Sequence, residues 1–138
     1  MSGKINGQDW SSILTLSLTV GAAVSVAGND GCTPARVLGF VVNVTGAGTY
    51  TIPPPLEPDP FGLTANYYTG NHNPGDPFWY AQQAHGTGSV TFNSLSATAA
   101  TGTYSFTLLP QEGTSATGSV VVSGSFNVHF KSSGSTGV

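Results

Sequence analysis

From Gly118 to Phe130 every second residue is apolar or small: Val120, Val122, Gly124, Phe126, Val128 and Phe130. Between them stand Val121, Ser123, Ser125, Asn127 and His129. A period of two marks a strand with one face toward a core. The run is long for one strand, and Gly124 at its middle predicts a bend or bulge there. Such a strand curls around a core and serves both halves of a sandwich or barrel. The same alternation recurs upstream. Ile13 to Val20 sets Leu14, Leu16, Leu18 and Val20 against Thr15, Ser17 and Thr19, and Ala23 to Ala27 returns with Val24 and Val26. Val37 to Thr45 points Leu38, Phe40, Val42 and Val44 inward, and Leu63, Ala65 and Tyr67 oppose Thr64, Asn66 and Tyr68. Val90 with Phe92, and Tyr104 with Phe106 and Leu108, complete the pattern.

Turn chemistry separates these runs. Asn6-Gly7 is the pair a type I′ turn prefers, because both central residues need positive φ, so Ser2 to Trp10 reads as a hairpin that delivers the Trp10 ring to the core. Gly28 to Pro34 is nearly all turn residues, and Pro53-Pro54-Pro55 cannot donate ladder hydrogen bonds and ends a strand. Residues 56–62 and 69–77 read as irregular loops, and Ser94 to Ala100 as a loop rather than a helix. The expected fold is all-β: an antiparallel meander of about nine or ten strands, forming a β-sandwich or a lipocalin-like barrel with no significant helix. One domain spans residues 1–138, with its core in 3–130 and a Gly/Ser-rich tail over 131–138.

Composition narrows the function. Only 7% of the 138 residues are charged, against about 25% in an average soluble domain. Gly, Ser, Thr and Asn fill the gap. Uncharged polar faces meet water or another protein with a small desolvation penalty, so the composition suits a surface that is buried in an assembly as well as one that is solvated. Three basic against six acidic residues leave no cluster to hold phosphates, which argues against nucleic acid. The lone Cys32 excludes an intrachain disulfide, and we expect a buried, inert thiol. No stretch is long enough to span a membrane as a helix, and Met1 to Asn6 holds no apolar signal core. Either a signal preceded the chain or the protein is made and assembled in the cytoplasm.

Candidate chemistry is sparse. His72, Asp76 and His85 stand near one another in the sequence, but in no metal-ligand spacing, and His and Asp in turns are ordinarily solvated. Glu57 and Asp59 lie in a proline-rich loop, a poor place to hold acid–base geometry. Asp30 beside Asn29 reads as a turn pair, and His129 as an outward imidazole. No nucleophile elbow or Cys/His arrangement occurs. Asn43-Val44-Thr45 matches a glycosylation sequon but falls in a predicted strand. We therefore expect no enzyme, no catalytic residue, no metal and no cofactor. The candidate binding residues are Tyr67, Tyr68, Phe78, Trp79 and Tyr80, with Phe61 nearby. Neighbours in a strand point to opposite faces, so either Trp79, or Phe78 and Tyr80, must turn outward or lie beneath a loop.

Several motifs, taken in order, resemble one family: Lys4-Ile5-Asn6-Gly7-Gln8-Asp9-Trp10, Gly48-Thr49-Tyr50-Thr51-Ile52, Gly88-Ser89-Val90-Thr91-Phe92, Gly102-Thr103-Tyr104-Ser105-Phe106 and Ser123-Gly124-Ser125-Phe126-Asn127-Val128. The chain is similar over about residues 3–130 to the uncharacterised calycin-like domains of small bacterial surface lipoproteins. That resemblance implies a lipocalin-like antiparallel barrel or sandwich held outside the inner membrane. It implies no catalytic residue and no settled ligand.

Two functional expectations follow. The first is a structural or adhesion-type subunit displayed on a cell surface, filament or virion. It would assemble by protein–protein contacts as a homo-oligomer or larger array, with Ser2 to Trp10 or the segment after Phe130 adding to a neighbour's sheet edge. The alternatives are a calycin-type binder of a small apolar ligand in the barrel mouth, or a carbohydrate-binding module working through Trp79 and Tyr80. The expected location is extracellular or at the cell surface; the alternative is a virion component made in the cytoplasm.

Overall fold

Two sheets share one long strand and wrap around a single core. In the computed structural model the described residues are 1–12, 14–20, 23–32, 34–52, 63–70, 73–82 and 85–132, and the side chains of 14–20 and 131–132 are not described. The strands are β1 (Ser2–Ile5), β2 (Gln8–Ser11), β3 (Leu14–Val20), β4 (Ala23–Asn29), β5 (Arg36–Asn43) and β6 (Gly48–Thr51). They continue as β7 (Thr64–Thr69), β8 (Phe78–Ala81), β9 (Thr87–Leu95), β10 (Ala99–Pro110), β11 (Val120–His129) and β12 (Lys131–Ser132). Among the described residues there is no helix. The twelve strands exceed the expected nine or ten, because the first hairpin contributes two short strands and the last run continues past Phe130.

One sheet runs β2-β1-β11-β10-β9-β6, the other β12-β3-β4-β5-β7-β8. They join at two corners. The body of β10 lies between β9 and β11, while its end pairs with β8 through Leu109↔Tyr80 and Pro110↔Trp79. At the other corner β11 leads into β12, which lies parallel on β3 with Lys131 opposite Leu18. All other pairings are antiparallel, and the circuit is a nearly closed barrel.

The alternation read from the sequence sets the core. Val24, Val26, Leu38, Phe40, Val42, Leu63, Ala65 and Tyr67 are buried from one sheet; Val90, Phe92, Tyr104, Phe106, Leu108, Val122, Phe126 and Val128 are buried from the other. Phe40 bridges them, with its ring centroid 5.5 Å from Phe126, 6.1 Å from Phe106 and 6.4 Å from Tyr104. Asn6 and Gly7 take φ of 49° and 82°, as the type I′ turn requires. Trp10 is buried from the end of that hairpin.

Three expectations change. Gly124 makes no bulge: register runs unbroken through Tyr104↔Gly124 and Gly3↔Gly124. The irregularity lies between β9 and β10, at Thr101/Gly102. A Cβ on Gly124 would stand 2.0 Å from the Ser2 carbonyl oxygen and 2.6 Å from the Tyr104 hydroxyl. The glycine is there for close approach. Second, Ser94 and Leu95 belong to β9 and Ala99 and Ala100 to β10. The connection tightens to a turn because the Ser96 hydroxyl accepts from the Ala99 amide at 3.1 Å and the Ser96 amide donates to the Ala99 carbonyl at 2.9 Å. Third, β5 ends at Asn43, so the sequon straddles a strand end.

Candidate functional site

The predicted aromatic group is divided between two faces. Register places Tyr67 opposite Trp79 and Tyr68 opposite Phe78. Tyr67 and Trp79 lie on the core side, with centroids 5.5 Å apart, and the Trp79 indole donates to the Gly118 carbonyl at 3.0 Å. Tyr68, Phe78 and Tyr80 lie on the outer side. Tyr68 and Phe78 stack at 5.9 Å, Phe78 and Tyr80 stand 6.3 Å apart, and Tyr80 stacks on His85 at 3.9 Å. In this ladder Tyr68 faces Phe78 and Tyr80 faces His85, while Phe78 and Tyr80 are tilted at 41° to each other. Gln82 and Gln111 border it in a cleft of about 330 Å³. Phe61, Glu57, Asp59 and His72 lie outside the described residues. The Asp76 carboxylate accepts from the Asn73 amide at 3.0 Å and so closes its own turn.

A feature missed in the sequence sits at the β4–β5 corner. Asp30 is the one buried charged residue among those described. Its carboxylate accepts from the amides of Cys32 and Arg36, both at 3.0 Å, and from Arg36 Nε at 2.7 Å. Burial alone would push this carboxyl up; the hydrogen bonds from Arg36 and Cys32 outweigh it and hold it at about 2. With its loop folded around the carboxylate, the Cys32 side chain is exposed rather than buried, and its Sγ lies 3.9 Å from the Asp30 carbonyl oxygen. The corner faces Lys4, Asp9 and Trp10 across an open cleft of about 610 Å³. Lys4 and Asp9 form an exposed ion pair there.

On the outside of the first sheet, register aligns Ser and Thr side chains in ranks. One rank crosses its six strands as Thr49, Thr91, Thr103, Ser125, Ser2 and Ser11. The next, Thr51, Ser89, Ser105 and Ser123, ends in Lys4 and Asp9. Ranks lie about 6.6–6.8 Å apart along the strands and about 4.7–4.9 Å between strands. Thr49 and Thr91 hydroxyls meet at 2.9 Å and those of Ser94 and Thr101 at 2.7 Å. The period of two showed that these positions face outward; the pairing that lines them up comes only from the register.

This sheet ends in two strands with one neighbour each among the described residues, β2 and β6. Bonded and non-bonded pairs alternate in an antiparallel ladder. The Ile52 amide donates to the Gly88 carbonyl at 3.0 Å, so bonding continues at Tyr50↔Val90 and Gly48↔Phe92. Thr49 and Thr51 therefore turn their amides and carbonyls away from β9. On β2 the Ser12 amide donates to the Met1 carbonyl at 2.9 Å, and by the same alternation Asp9 and Ser11 turn theirs away from β1.

The first and last segments expected to reach a neighbour have partners within the chain: β1 lies between β11 and β2, and β12 lies on β3. Residues 133–138 lie outside the described residues. Among the described residues no helix is long and apolar enough to cross a membrane. Comparison with family models, curated proteins and solved structures finds no match. A nearly closed barrel does not by itself identify the family that the strand motifs resemble.

Proposed function

We propose that the protein is a non-enzymatic structural or adhesion subunit, working on a cell surface, filament or virion through the outer face and free edge of its first sheet. The observation that carries this reading is the hydroxyl rank Thr49-Thr91-Thr103-Ser125-Ser2-Ser11, continued by an edge whose backbone groups have no partner among the described residues. A face of Ser and Thr gives up its water at far lower cost than a charged one, and an open edge offers directional bonds. Several titratable groups among the described residues, by contrast, are spent on architecture: Asp30 and Arg36 shape one corner, Asp76 closes a turn, and His85 stacks on Tyr80.

The alternatives have less support. The centre of the barrel is occupied by Phe40 and the rings around it, where an apolar ligand would need space. Carbohydrate binding uses exposed ring faces; Tyr80 spends one on His85, and Trp79 packs against the core. Sedimentation of the full chain over a wide concentration range tests the proposal. Its average mass should rise with concentration. A chain that stays strictly monomeric at the highest concentration overturns the reading.

A further inference from the structure

We infer that β6 is a self-pairing edge, and that its occupant is the β6 strand of a second copy of this chain, related by a two-fold axis through Tyr50. The inference rests on the reading of the protein as an assembling subunit and names the partner and the contact.

Its geometry is self-complementary. The residues whose backbone groups point outward, Thr49 and Thr51, flank Tyr50 symmetrically. In an antiparallel approach centred on Tyr50, Thr49 faces the second copy's Thr51 and Thr51 faces its Thr49. Each pair then exchanges both of its backbone bonds. The Tyr50 position falls on a non-bonded pair, as its inward bonding to β9 demands. The strand is held ready for this: the Tyr50 hydroxyl accepts from the Thr45 and Gly46 amides at 2.9 and 3.2 Å and donates to the Gly46 carbonyl at 2.6 Å. The preceding turn is thereby pinned and the edge kept extended.

Electrostatics selects the occupant. Two identical uncharged edges meet without like-charge repulsion, and no Asp, Glu, Lys or Arg occurs between Arg36 and Glu57 or between Asp76 and Glu112. Those two segments supply β6, β9 and β10. The opposite edge differs. On β2 the outward-bonding Asp9 is charged and paired with Lys4, and a charged side chain on an edge is a device against strand addition. The β6 contact is isologous, so it closes at two copies and does not propagate. A strand of 4 residues places the association at the weak, concentration-dependent end of the scale.

The test uses the full chain in sedimentation experiments with Thr51→Pro, Thr49→Lys and, as a control, Val41→Lys, which adds the same charge on the exposed face of β5 in the other sheet. The Thr51 amide takes no part in the β6–β9 ladder, so proline there removes an outward donor and leaves the barrel bonded; circular dichroism and melting temperature check that it folds. Should Thr51→Pro fail to fold, Thr49→Lys carries the test alone. The expected result is a monomer–dimer equilibrium for the wild type, weakened at least about tenfold by either β6 substitution and unchanged by Val41→Lys. Association that persists in both β6 variants, or that grows beyond the dimer, overturns the β6 contact and leaves the assembling-subunit reading standing. A wild type that is monomeric throughout overturns both.

Discussion

The two sheets line the same core by different means. On β4, β5 and β7 the buried rings have side chains across the ladder from them: Phe40 faces Val26 and Ala65, and Tyr67 faces Leu38 and, on β8, Trp79. On β9, β10 and β11 several rings instead stand directly across from glycines. Gly102 lies between Phe92 and Phe126, whose rings meet edge to face over it at 5.4 Å. Gly88 lies beside Phe106. The Tyr104 ring crosses Gly124, its cross-strand partner, and donates to the Ser2 carbonyl at 3.2 Å. Cross-strand rings that cover glycines restore the packing that the missing side chain forfeits. Positions where a glycine faces a ring are thus sensitive to added volume as well as to lost volume.

The strongest way to break this comparison is to add one methyl group. A Cβ at Gly102 would stand 1.9 Å from the Thr91 carbonyl oxygen and 2.7 Å from Phe126 Cζ. Because the obstacle includes backbone, Gly102→Ala should exceed the about 1–3 kcal/mol typical of overpacking and abolish the cooperative thermal transition. A near-native melting temperature would show that the rings do not depend on that gap.

Removing a ring comes next. Phe126→Ala should cost about 3–5 kcal/mol and fall at the upper end, since Gly102 beside it has no side chain to relax into the cavity. Leu38→Ala, flanked on the other sheet by Gly28 and by the Tyr67 ring, which can relax toward the gap, should fall in the lower half of about 2–5 kcal/mol. Chemical denaturation measures both, and equal costs would erase the distinction between the sheets.

The Asp30 corner gives a smaller, pH-dependent term. Its carboxyl is held at about 2, against an ordinary 3.8. A depressed folded value means stability that is complete above the unfolded value and lost as pH falls toward 2, worth about 2–3 kcal/mol. Stability of the wild type should decline over that window, and Asp30→Asn should flatten the decline. An unchanged slope in the variant would assign it to other carboxylates.

The smallest effect concerns Tyr104. Burial pushes its phenol up to about 12 from an ordinary 10.0. A raised value gives stability that is complete below pH 10 and is lost as pH rises through 12, while the neutral hydroxyl keeps its bond to Ser2. Tyr104→Phe should keep the ring over Gly124 and lose about 0.5–1.5 kcal/mol. A larger loss would mean that the hydroxyl, rather than the ring, holds β1 in place.

Much of the architecture was legible because alternation reports which side of a strand faces a core; Val24, Leu38, Phe92 and Val122 are buried where the period of two put them. What escaped depends on who stands across the ladder. Gly124 read as a bend because a glycine within a strand has that use, and only its pairing with Tyr104 exposes the other. Asp30 hid among turn residues, since nothing local distinguishes a solvated carboxylate from one that gathers three donors. The Phe78-Trp79-Tyr80 run was legible as two-sided, but its sidedness needed the partner strand β7. The hydroxyl rank needed five registers at once, and the open backbone of Thr49 and Thr51 needed the phase of a hydrogen-bond ladder that composition does not encode.

Rings set beside glycines also act as a proofreading device for the folding chain. A slip of two residues keeps apolar side chains inside, so hydrophobic burial alone does not resist it. In β9, β10 and β11 such a slip forces ring onto ring at one site and leaves an unfilled gap at another. Gly102, Gly124 and Gly88, the positions with least to contribute to a core, are thereby the ones that tell each strand where along its neighbour to stop.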